Sequence, residues 1–147
     1  MKPISLLRVL SCAAALIALP ALAELPAVTA YKDPNCGCCG GWAEHMRAAG
    51  FTVKEVPSAQ MAQIKRQLGV PEALGSCHTA QVGNYLIEGH VPAADVKRLL
   101  AEAPAGARGL AAPGMPLGSP GMEAAHAERY DVIRFNADGS RAVFAQH

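Results

Sequence analysis

The chain has 147 residues, 51% of them hydrophobic, with thirteen Lys and Arg against twelve Asp and Glu. That length supports one domain better than two. A formal charge of +1 gives no electrostatic support for a nucleic-acid or anionic-lipid partner.

The first residues read as a leader. Lys2 and Arg8 form a short basic region, Val9 to Leu19 is mostly apolar, and Pro20 precedes Ala21-Leu22-Ala23. Basic, apolar, then small-x-small is the pattern of a secretory signal peptide, and the run is too short to span a bilayer. Cleavage is expected after Ala23, which leaves residues 24–147 as a single domain with no membrane span. An alternative, Cys12 as a lipoprotein-type acceptor, has almost no apolar stretch between it and Arg8. Removing the leader leaves eleven bases against twelve acids and four of the five cysteines. In an exported, oxidising compartment those four should be disulfide-bonded, redox-cycling or protected by a metal.

In chain order, Leu25 to Lys32 reads as a strand, and Asp33-Pro34-Asn35 as a turn. Gly40 to Ala49 carries Trp42, Met46 and Ala49 at helical spacing, with Gly50 as the stop. Phe51 to Val56 alternates as a second strand. A helix is expected from Ser58, as N-cap, to about Leu68, ended by Gly69. Thr79 to Val82 and Tyr85 to Glu88 flank Gly83-Asn84 and predict an antiparallel hairpin. Pro92 to Ala103 predicts a helix with Val96, Leu99 and Leu100 on one face and Asp95 in its first turn. The order β-α-β-α-β-β-α is thioredoxin-like, in an α/β fold. Ala105 to Glu123 is rich in Gly, Pro and Ala and reads as a loop, with a repeat, Pro113-Gly114-Met115 and Pro120-Gly121-Met122. Tyr130 to Phe135 and Arg141 to Ala145 predict a C-terminal β-hairpin around Asn136-Ala137-Asp138-Gly139.

The chemistry concentrates in Pro34-Asn35-Cys36-Gly37-Cys38-Cys39-Gly40-Gly41-Trp42. Cys36 and Cys39 alone make the Cys-x-x-Cys of a redox pair, so Cys38 needs a separate explanation. At a helix N-terminus the unpaired N–H groups and the helix dipole favour thiolates, which serve both nucleophilic attack and metal binding. The bland alternative is a plain disulfide with a spare thiol. Cys77, in Ser76-Cys77-His78, precedes the third strand and in a thioredoxin-like layout can reach the cluster; otherwise it is an inert buried thiol or a disulfide partner. Four thiolates around one point need cations to share the site, and soft sulfur selects Cu(I), Zn(II) or Fe–S centres.

The other donors differ in their support. His45 and Met46 lie six and seven residues beyond Cys39, roughly 9 to 10 Å along a helix, so Met46 reads as core and His45 as surface. His78 is a ligand candidate through its neighbour Cys77, although strand alternation can send it to the other face. His90, at a turn into a helix, is a weaker candidate. Met115 and Met122 are either Cu(I)-type thioether ligands or packing anchors for the loop. His126 and His147 have no supporting context.

The segments YKDPNCGCCGGWAEHM, SCHTAQVGNYLIEGHVPAADVKRLL and GLAAPGMPLGSPGME, in that order, resemble the small exported CopG-like copper-resistance proteins. The resemblance runs from about Tyr31 to Phe135. It implies a thioredoxin-like fold and a periplasmic copper protein, with copper ions as its ligand and copper efflux or chaperone proteins of the envelope as partners. It implies copper held by the Cys-x-Cys-Cys and Ser-Cys-His motifs, including polynuclear thiolate-bridged Cu(I), and a redox role toward copper. Residue by residue it carries over Cys36, Cys38, Cys39 and Cys77, with His78, Met115 and Met122 as candidates to complete the site.

Two other functions compete. A thiol–disulfide oxidoreductase would use Cys36 as nucleophile and Cys39 as resolving thiol, but no Pro stands immediately before the third strand, where thioredoxins place one beside the redox pair. A structural zinc site would crowd three closely spaced cysteines onto one tetrahedral ion. Copper chemistry explains the third cysteine best, because a thiolate can bridge more than one Cu(I).

Overall fold

The computed structural model describes residues 24–147. The leader expected at 1–23 lies outside the described residues. The elements are β1 (Val28–Lys32), α1 (Gly37–Ala48), β2 (Val53–Pro57), α2 (Met61–Leu68), a 3-10 turn (Glu72–Leu74), β3 (Thr79–Val82), β4 (Tyr85–Glu88), α3 (Ala93–Glu102), β5 (Ala107–Ala111), β6 (Asp131–Asn136) and β7 (Arg141–Gln146). The strands form one sheet in the order β2-β1-β3-β4-β5-β6-β7. The pairs β1–β2 and β4–β5 are parallel and the rest antiparallel. The expected order β-α-β-α-β-β-α is the observed order from β1 to α3, so the chain has a mixed α/β fold.

Alternating side chains divide the core between the two sheet faces. On one face α1 (Trp42, Ala43, Met46) and α3 (Val96, Leu99) pack on Val28, Ala30, Ala80, Val82, Ile87 and Leu110. On the other, Leu68, Val70 and Leu74 pack with Leu86, Ala111 and Phe135. Trp42 is fully buried, and its indole N–H donates to the Val91 carbonyl at 2.9 Å. That bond ties the cysteine-bearing helix to the entry of α3.

Three expectations are corrected. First, α1 begins at Gly37, a turn before Gly40, with Cys36 as its N-cap. The Asp33 side chain accepts from the Asn35 N–H at 2.8 Å and its carbonyl from the Cys36 N–H. This turn starts the helix inside a glycine-rich stretch whose propensity opposes it. Second, Ser58 is not the cap of α2. Its N–H donates to the Lys32 carbonyl at 2.8 Å, continuing β2, and the helix starts at Met61 after Gln60. Third, the segment read as loop from Ala105 contains β5, which lies between β4 and β6.

Composition hid β5 because its close neighbours demand small residues. A Cβ at Gly109 would run into the Leu86 carbonyl and the Phe135 ring. Leu110, Ala111 and Ala112 are fully buried. Gly109→Ala should therefore push β4 and β5 apart and lower stability by about 2–3 kcal/mol. Urea unfolding measures it; a loss under about 0.5 kcal/mol would show that the two strands are not held so closely.

Candidate metal centre

The sulfurs come from two places. Cys36, Cys38 and Cys39 occupy the N-cap and first turn of α1. Cys77 stands two residues before β3. Their four Sγ atoms lie within 4.8 Å of one another. Cys36 and Cys39 form a disulfide, while Cys38 and Cys77 are free thiols. Cys38 Sγ is 3.5 Å from Cys36 Sγ.

A second group shares Cys77. Its sulfur is 2.9 Å from His90 Nε2 and 3.4 Å from His78 Nδ1, and these three ligand atoms also lie within 4.8 Å of one another. His90 Nδ1 faces the Pro120 carbonyl at 2.8 Å. The carbonyl can only accept, so Nδ1 carries the proton and Nε2 presents its lone pair to Cys77. Both imidazoles are buried. His78 packs on Trp42 and on His90, with ring centroids 4.5 and 4.9 Å away. Its Nε2 has no hydrogen-bond partner. Burial, then His90, Lys65 and Lys32, hold His78 well below the ordinary histidine range. Burial also lowers His90, against the opposing effects of the Pro120 carbonyl and Glu123. Burial and the neighbouring Cys38 push the Cys77 thiol up to about 11. The metal-free state at neutral pH is thus a thiol donating to a neutral imidazole.

What positions Cys77 is a buried carboxylate. Glu88, at the end of β4, is 0% exposed. It accepts from the Ser76 N–H at 2.7 Å, from the Thr79 hydroxyl at 2.5 Å and from Lys65 of α2 at 2.5 Å. The Gly89 N–H donates to the His78 carbonyl at 3.0 Å, extending the hairpin beyond its strands. A Cβ on Gly89 would collide with Ser76 and the Ala112 carbonyl.

The loop after β5 closes the site, and its repeated glycines are the contacts. Gly114 pairs with Ser76, its N–H donating to the Gly75 carbonyl at 3.0 Å. The Ser76 hydroxyl donates to the Gly114 carbonyl. Gly121, at φ +83°, leaves no room for a Cβ against the Cys38 carbonyl and the Trp42 N–H. One repeat therefore touches the Cys77 side and the other the Cys38 side. Met115 is 48% exposed and Met122 half-buried, each next to one of these glycines.

The four cysteines are thus brought together, and His78 joins them only through Cys77. Met46 is core as expected. His45 is not a free surface residue: its Nε2 accepts from the Ala93 N–H at 3.0 Å, capping the first turn of α3, and burial lowers its pKa. Sequence reasoning left His90 outside the favoured set and missed Glu88 altogether.

Two outcomes follow for the metal-free protein. Alkylation of Cys77 should be slow at pH 7 and rise about tenfold per pH unit up to at least pH 9, following its thiolate fraction; a plateau already at pH 8, seen by mass spectrometry, would mean that His90 holds the proton. Glu88→Gln removes the charge that faces Lys65 and should lower stability by about 2 kcal/mol, read from urea unfolding.

Comparison with known proteins agrees with this picture. The family model described as "Protein of unknown function, DUF411" matches residues 74–122, which contain Cys77, His78, Glu88, His90 and both repeat glycines. No curated protein matches. Two solved structures described as copper resistance protein copG are similar to this chain, each at 42% identity and each aligned over 84% of it. Form 2 is covered over 99% of its length with a TM-score of 0.80, and Form 1 over 98% with a TM-score of 0.79. Across that length and identity the chain belongs to the CopG family of copper resistance proteins.

Proposed function

We propose that this protein is a periplasmic copper-binding protein of copper resistance, which holds Cu(I) in a cysteine-thiolate site. The observation that carries the reading is the convergence of four sulfurs from two separate segments within 4.8 Å. A redox pair needs two. Four soft donors on a rigid helix start and a braced loop suit Cu(I), and bridging thiolates accommodate several ions. In this reading Cys36, Cys38, Cys39 and Cys77 hold the copper, once the Cys36–Cys39 bond is reduced. His78 and Met115 or Met122 complete the site, and His90 joins them because its lone pair already faces Cys77. The methionine assignment draws support from the repeat glycines that precede them, since Gly114 bonds to Gly75 beside the Cys77 loop and Gly121 packs on the Cys38 backbone. Thiol oxidation to a disulfide releases two electrons, which gives the site a means of copper redox chemistry. The leader and the family resemblance support export to the periplasm as residues 24–147, with envelope copper efflux or chaperone proteins as partners. Among the described residues no helix is long and apolar enough to cross a membrane.

A second reading has its own observation. The formed Cys36–Cys39 disulfide at the start of α1, with Cys36 partly exposed and Cys39 buried, is the arrangement of a thiol–disulfide oxidoreductase. Anaerobic titration of the reduced protein with Cu(I) against a chromophoric chelator separates the two. The copper reading expects more than one Cu(I) per chain, with at least one equivalent lost in Cys38→Ser. Absence of competitive uptake, with catalytic reduction of insulin through Cys36 and Cys39, would leave the oxidoreductase.

A further inference from the structure

We propose that the Cys36–Cys39 bond sets which donors of the centre can take an ion, and that the disulfide-bonded protein binds one Zn(II)-type ion through Cys77, His78 and His90. The inference rests on the reading of the cysteines as a metal site and adds a second state to it.

The two donor groups overlap only at Cys77. The disulfide occupies Cys36 and Cys39, and a disulfide sulfur is not a thiolate ligand. The four-sulfur group is then reduced to Cys38 and Cys77. The other group loses nothing. Cys77 Sγ, His90 Nε2 and His78 Nδ1 remain within 4.8 Å of one another. His90 is already arranged as metal-binding histidines are, with one ring nitrogen bonded to a backbone carbonyl and the other free. His78 is buried, and its Nε2 makes no hydrogen bond of ordinary geometry. Its Nδ1 lies 3.4 Å from the same sulfur.

Chemistry sets the preference of each state. One thiolate and two imidazoles make a borderline donor set suited to a tetrahedral divalent ion with an open fourth position. Four thiolates make a soft set suited to Cu(I). Binding in the oxidised state releases one proton, as the Cys77 thiol becomes a metal-bound thiolate. Conversion to the other state takes a dithiol reductant. Its two thiols become a disulfide, and the two electrons and two protons they give up appear on Cys36 and Cys39 as thiols. Cys38 is in the sulfur group but not in the histidine group, so the two states differ in their need for it.

The test uses the protein as purified after export, with the disulfide intact and two thiols per chain by count. It is titrated with Co(II), and Zn(II) is then used to displace the cobalt. One equivalent of tetrahedral Co(II) with a thiolate charge-transfer band is expected, displaced by one Zn(II). Cys77→Ser, nearly isosteric, should abolish the band. His90→Gln should weaken Co(II) binding at least about tenfold, and Cys38→Ser should leave it within about twofold. Circular dichroism of each variant confirms folding. Absence of the band in the oxidised wild type, or a band lost in Cys38→Ser and kept in folded His90→Gln, would overturn the inference. Cu(I) uptake by the reduced wild type is the separate measurement for the copper reading, so either proposal can fail without the other.

Discussion

A single buried carboxylate holds the two halves of this site in register. Glu88 has no solvent contact, and a lone buried charge would be costly. It is matched by three donors from three places: Lys65 of α2, the Ser76 backbone beside Cys77, and Thr79 of β3. Thr79 alone serves Oε2, while Ser76 and Lys65 share Oε1, so losing Thr79 leaves a buried oxygen unsatisfied and losing Lys65 leaves the carboxylate without its counter-charge. Because Glu88 lies two residues before His90 and its partner Ser76 one residue before Cys77, the brace sets the distance between that thiol and that imidazole.

The fold was legible wherever local pattern and tertiary demand agreed. The β3–β4 hairpin was readable from Gly83-Asn84 between alternating strands, and it forms with Thr79 opposite Glu88. The amphipathic face of α3 also behaves as its spacing indicates, with Val96 and Leu99 buried. Strand β5 was not legible. Its sequence is selected for absence of side chain, because Gly109 lies against the Leu86 carbonyl. Small residues carry little periodicity, and composition then suggests a loop. The early start of α1 was hidden for a related reason. Gly37 among the cysteines gave no helical signal, whereas the Asp33 turn starts the helix there, ahead of Gly40.

The site was half legible. Spacing placed Cys36, Cys38 and Cys39 together, and the expected strand order brought Cys77 within reach of them. His90 was readable in principle. Extending the register Thr79↔Glu88 two steps outward sets Cys77 opposite His90, so the hairpin already contained the pairing. Glu88 also had a signal, since it shares a strand face with Leu86, and an acid on a buried apolar face needs partners. The cap made by His45 had none: a helical histidine spaced away from the cysteines gives no sign that the N-terminus of α3 will arrive beside it. The closing role of the Pro-Gly-Met repeat was equally hidden, because it depends on which backbone its glycines meet.

Charge explains why so many soft donors can sit together. The basic side chains that act on His78, Lys32 and Lys65, are each matched to a carboxylate, Glu55 at 3.1 Å and Glu88 at 2.5 Å. They therefore supply little net positive field to the sulfurs. Burial and Cys38 instead keep Cys77 protonated until about pH 11, and Cys36 and Cys39 are neutral in their disulfide. Three of the four sulfurs of the ion-free cluster, Cys36, Cys39 and Cys77, therefore carry no charge at neutral pH. Converting it to several thiolates requires cations inside the cluster itself, since the surrounding protein has already neutralised its own. A site built this way responds to two inputs: a soft metal ion that replaces protons on sulfur, and a reductant that opens the disulfide.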